Sequence, residues 1–184
     1  MKDKRKAVRI AGVLFIVALL ASLIGGGLIE TAKEQPKLIA GVILEIVNAV
    51  AVLGIGILLF SVLKQFSENA VYAYLGSRII ESLACFSAAF VVLSGSTELR
   101  AFHTGILIPF FFCGGALIFY PILFRYRLLP RFIAIWGLVG VLLIIFLNVF
   151  KPEGQTGLML ALPIILNEIF LGIWLILRGL KIDQ

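Results

Sequence analysis

Ala70-Val-Tyr-Ala-Tyr-Leu-Gly-Ser-Arg78-Ile-Ile-Glu81-Ser-Leu-Ala-Cys85-Phe-Ser-Ala-Ala-Phe-Val-Val-Leu93 is an apolar run with a guanidinium and a carboxylate in its middle. Wound into a helix at about 1.5 Å per residue, it is long enough to cross the roughly 30 Å hydrocarbon core of a bilayer. On that helix Arg78 and Glu81 are three residues apart and share a face. The same interruption recurs elsewhere. Glu45 and Asn48 break the run 38–63, and Asn167 and Glu168 break the run 157–180. At mid-membrane each ionisable side chain costs roughly 2.5 to 3.5 kcal/mol on an insertion scale. Four such groups rival the net stability of a whole domain, so they must satisfy one another. The chain therefore reads as a helical bundle folded around a buried polar cluster.

Composition sets the class independently. With 61% hydrophobic and 14% charged residues in 184, and a mean hydropathy of +1.13, the chain carries more apolar surface than a soluble domain of this size can bury. No polar, Pro-rich or Ser-rich linker divides it, so one bundle is expected. A net charge of +6 would point to nucleic acid in a soluble protein. Here the basic residues gather at the ends of apolar runs, which makes the lipid bilayer and its anionic headgroups the partner and excludes nucleic acid. Cys85 and Cys113 both fall inside apolar runs and read as small buried hydrophobes, not as a disulfide framework.

Six apolar runs, at about 10–29, 38–63, 70–93, 101–124, 132–150 and 157–180, give an all-α polytopic membrane protein with six transmembrane helices. The first is too long for the apolar core of a secretory signal and reads as an uncleaved helix. Pro36, Pro130 and the Pro152/Gly154 pair mark turns, while Pro109, Pro121 and Pro163 mark places where a helix can kink. Six crossings put both termini on one side. The connections on that side and the termini carry eleven Lys and Arg residues. The opposite connections carry four, namely Lys33, Lys37, Arg100 and Lys151. That bias predicts that both termini lie in the cytoplasm.

The polar residues fall on faces rich in small side chains: Gly41, Glu45, Asn48 and Gly56 on the second helix, Arg78, Glu81, Cys85 and Ala88 on the third, and Gly157, Ala161, Glu168 and Gly172 on the sixth. Such faces pack against other helices and not against lipid, so helices 2, 3 and 6 are expected to meet. Three carboxylates then face the single guanidinium of Arg78, which neutralises one of them. The other two must be protonated, share a cation or cationic ligand, or be reached by water. Glu45, Asn48, Arg78, Glu81, Asn167 and Glu168 are accordingly the candidate site for a small molecule, an ion or a proton. The competing reading is a structural knot that fixes helix register. His103, the lone histidine, has no Cys, Asp or second His at ligand spacing, so no metal or other cofactor is expected. No nucleophile elbow, Walker loop or dinucleotide fingerprint supports an enzyme, including one acting on an amphipathic substrate within the membrane. The expected function is to bind or transport a small solute or proton in a polar intramembrane cavity. The alternative is an accessory or protective membrane protein, working with another membrane protein or a second copy of itself, in which the charges are only structural.

The motifs also carry a resemblance. Arg9-Ile-Ala-Gly, Glu45-x-x-Asn48, Arg78-x-x-Glu81, Tyr126-Arg127-Leu-Leu-Pro130-Arg131 and Leu166-Asn167-Glu168, in that order over nearly the whole chain, resemble a bacterial family of multi-pass membrane proteins known as domain of unknown function 4386. The resemblance implies six helices and draws attention to the polar residues. It implies no substrate.

Overall fold

The computed structural model describes residues 2–151 and 155–182. It contains helices α1 Lys2–Glu30, α2 Gln35–Leu63, α3 Glu68–Leu93, α4 Thr97–Arg125, α5 Arg131–Phe150 and α6 Gln155–Leu177. All six are long and apolar enough to cross a membrane, and no strand occurs among the described residues.

The helices overrun several of the boundaries read from hydropathy, because polar residues with good helix propensity extend them. The basic segment 2–9 continues α1 and does not precede it. The start of α4 moves back to Thr97, where the Ser96 hydroxyl accepts from Leu99 N at 3.4 Å and caps the first turn. Arg100 is thereby drawn out of a connection and into a helix. At the other end of the chain, α6 stops at Leu177 and not near residue 180, since Gly179 adopts φ +71 and donates back to Trp174 O. Lys181 N then donates to Leu128 O at 2.8 Å and ties the C-terminal segment to the α4–α5 turn. The Pro152/Gly154 turn lies outside the described residues.

Within α4 the residues His103–Leu107 form a π-helical turn, with Ile108 N donating to His103 O. Pro109 follows immediately and has no N–H to give the Gly105 carbonyl, so the wide turn sits against a break already present in the ladder. Pro121 and Pro163, in contrast, are carried inside continuous helix.

Short connections make sequence neighbours into spatial neighbours, and each helix packs on the next until α6 returns to α1 and closes a ring. Glycines allow the close approaches. A Cβ added at Gly12 would stand 2.7 Å from Gly172 O and one at Gly172 would stand 3.0 Å from Gly12 O, which seals α1 on α6. Gly25 and Gly41 do the same for α1 and α2, and the Tyr120 ring occupies the space over Gly137 between α4 and α5. The ring corrects one expectation. Helix α6 does not pack on α3; it lies against α1 and α5 and looks at α3 across the middle.

A central polar cavity as candidate functional site

Six helices in a ring leave space at their centre. A cavity of about 220 Å³ is lined from every helix: Ser22 of α1, Asn48 of α2, Arg78 and Glu81 of α3, Phe112 of α4, Ile144 of α5 and Glu168 of α6.

Arg78 is held by its surroundings in almost every direction. Its Nη1 donates to Glu81 Oε2 at 2.9 Å, and both side chains are about 95% buried. The guanidinium carbon lies 5.4 Å from the Tyr74 ring centre and 5.7 Å from that of Phe112, so aromatic faces flank the cation. Room for it comes from Gly56, where a Cβ would fall 2.7 Å from Arg78 Cβ. Gly115, beside Ser77 and Arg78 Nε, opens the α4 side. Hydroxyls lock α3 to both neighbours, Ser82 donating to Ala49 O at 2.8 Å and Ser77 to Phe111 O at 2.7 Å. Below Arg78, toward the chain termini, Tyr74 stacks on Phe119 and Phe119 on Phe15, a run of rings on that side of the cavity.

Glu168 faces the same cavity from the opposite wall. It makes no hydrogen bond or ion pair among the described residues, and it is within electrostatic reach of Arg78, which attracts it, and Glu81, which repels it. The wall charges are therefore one guanidinium and two carboxylates, and one of those carboxylates is already bonded to the guanidinium.

Glu45 requires a correction. The sequence reading set it against Arg78 and left it among the unneutralised anions. The structure gives it a different partner: Arg100 Nη1 and Nη2 donate to Glu45 Oε2 and Oε1 at 3.2 and 2.8 Å. This fork is possible because α4 begins early enough to carry Arg100 over the end of α2. A smaller space of about 130 Å³, bordered by Glu45, Ser22, Asn48 and Thr104, lies between that pair and the central cavity. One carboxylate, not two, is left without a counter-ion.

The asparagines part company. Asn48 lines the cavity and donates to Cys85 Sγ at 3.7 Å. Asn167, fully buried, accepts from Tyr120 OH at 2.6 Å and donates to Ile133 O at 2.9 Å, which joins α4, α5 and α6 away from the cavity. His103 Nε2 lies 3.0 Å from Ser87 Oγ, and its Nδ1 lies 2.7 Å from Leu99 O. Among the described residues no group of three or more His, Cys, Asp or Glu side chains stands where it could hold a metal ion. Cys85 and Cys113 are free thiols.

A family described as Domain of unknown function (DUF4386) matches residues 10–179. The chain belongs to this family. The DUF4386 match takes in every residue of the cavity wall and both ion pairs around it. No curated protein and no solved structure matches the chain, so the chemistry of this DUF4386 cavity has to be argued from its geometry. The sequence reading missed Arg100, and one local signal pointed to it: Ser96-Thr-Glu98 is a helix start, which places Arg100 inside α4.

Proposed function

We propose that the central cavity is a binding site for a proton or a small monovalent cation, with Glu168 as the group that holds it. The observation that carries this reading is the unpaired carboxylate of Glu168 in a wall where Arg78 is already bonded to Glu81. A bare carboxylate at membrane depth without a bonded counter-ion is costly, so in this reading Glu168 carries a proton or faces a cation. The space of about 220 Å³ suits a compact ion and not a bulky one. Phe112 also lines the cavity, and although one of its faces is engaged by Arg78, an aromatic wall tolerates a small organic ammonium as well as an inorganic ion. The stacked rings on one side of the site and the Glu45–Arg100 fork on the other are the two candidate barriers for exchange across the membrane in this reading.

Topology enters the same proposal. In this reading both termini lie in the cytoplasm, on the Lys and Arg bias of the sequence.

The test is a thermal melt of purified protein in detergent, with tetramethylammonium chloride compared to sodium chloride at equal ionic strength. Wild type gains stability with tetramethylammonium, or on acidification alone if the proton is the ligand, and Glu168→Gln gains none. A second reading, a purely structural cluster in an accessory protein, is favoured by the closed Arg78–Glu81 and Glu45–Arg100 pairs. Equal melts in both salts at every pH, for both proteins, would select it.

A further inference from the structure

Helices α4 and α5 touch near the ring's interior but part on the lipid side. The gap is a groove of about 350 Å³ running down to Leu117, and a second space of about 610 Å³ extends it to Lys151. Gly105 and Asn148 line both, so the two form one continuous groove. Its α4 side from Gly105 to Leu117 covers about 18 Å at helical rise. The floor is smooth: a Cβ at Gly105 or Gly114 would meet nothing within 4 Å.

The chemistry changes in order along the groove. Lys151 stands exposed at the mouth, at the C-terminal end of α5, and makes no ion pair among the described residues. Asn148 lies one turn deeper. Its Nδ2 donates to Ile144 O at 2.8 Å, and its second N–H and its oxygen remain free to pair. Beyond Asn148 the lining is apolar to Leu117. A cation, then an amide, then a greasy trough is the polarity profile of a glycerophospholipid read from its phosphate through its ester linkage to an acyl chain. Other open glycines on the lipid-facing surface, Gly26, Gly27 and Gly76, line no such groove.

We propose that the α4–α5 groove seats one bilayer phospholipid, its phosphate on Lys151, its glycerol ester on the Asn148 amide and one acyl chain extended to Leu117. The site is separate from the cation site and does not depend on it.

The experiment is native mass spectrometry of the detergent-purified full chain equilibrated with dioleoylphosphatidylglycerol or with dioleoylglycerol, which has the same tails and no phosphate. Wild type retains a single phosphatidylglycerol in preference to dioleoylglycerol by about fivefold, the contribution of one basic residue at the membrane surface. Lys151→Gln, an exposed change that leaves the fold alone, abolishes that preference. Gly114→Phe fills the trough and abolishes retention of both lipids, whereas Gly26→Phe, equally open but outside the groove, behaves as wild type. Equal retention of the two lipids by wild type, or undiminished retention by Gly114→Phe, overturns the proposal. So does a dimer that Gly114→Phe dissociates without changing lipid retention, since the groove would then hold a second copy of the chain.

Discussion

Replacing Arg100 with leucine separates the structure sharply from a loop reading of the same residue. In the folded protein Arg100 forks onto Glu45 with two hydrogen bonds, and the side chains are only 17% and 12% exposed. Removing one member of a buried pair strands the other and costs about 3 to 5 kcal/mol. Partial exposure puts the expected loss near the lower end, about 3 kcal/mol. An exposed ion pair in a connection would cost only about 0.2 to 1 kcal/mol. Replacing both partners with leucine removes the stranded charge, so the double variant should recover most of the loss and leave a coupling of about 2 kcal/mol or more. Reversible unfolding in mixed detergent micelles, run as a double-mutant cycle over wild type, Arg100→Leu, Glu45→Leu and the pair, measures this directly. A single-variant loss below about 1 kcal/mol, or a double variant equal to the sum of the singles, would refute the fork as a structural element.

The two carboxylates nearest Arg78 should behave oppositely in the same assay. Glu81→Gln takes away the bonded counter-ion and should cost about 3 to 5 kcal/mol, whereas ligand-free Glu168→Gln should match or exceed wild type because it removes an uncompensated carboxyl. At a tetramethylammonium concentration of about 100 times its dissociation constant, wild type should gain about 2.7 kcal/mol and Glu168→Gln nothing. Tyr120→Phe leaves Asn167 Oδ1 without its donor and should cost about 1 to 3 kcal/mol, read by the same unfolding curves. Single cysteines at Gln35, Ser96 and Gln155 in a cysteine-free background should react with an impermeant maleimide on intact cells, and one at Ser67 should not; labelling of Ser67 alongside Gln35 would invert the proposed orientation.

The six helices were legible because each apolar run is about as long as the bilayer core is thick and is bounded by charged, polar or helix-breaking residues. Arg78 and Glu81 were legible as neighbours on one face from helical periodicity alone, although which of the three carboxylates pairs with Arg78 was not. The ring was not. Helix-period arguments say which residues share a face but not which helix that face meets, and glycine approaches such as Gly12 on Gly172 carry no directional signal in one sequence. The same limit misassigned Glu45, whose partner depends on where α4 begins, a matter of one serine cap. Asn167 was drawn into the cluster by adjacency to Glu168, yet neighbours in a helix point about 100° apart, and Asn167 is spent joining three helices.

The Arg78–Glu81 bond lies within one helix, and this bears on how the protein enters its membrane. Helices leave the ribosome in order, and α3 reaches the bilayer before α4, α5 or α6 has been made. A guanidinium and a carboxylate crossing separately would each add roughly 2.5 to 3.5 kcal/mol to the insertion of α3. Linked at i and i+3 across 2.9 Å, they can travel as a neutral dipole and need no later helix to shield them. Glu168 arrives last, on α6, when the rest of the wall is already standing. The order of synthesis thus delivers the self-neutralised charges first and the unmatched one only once there is a cavity to receive it.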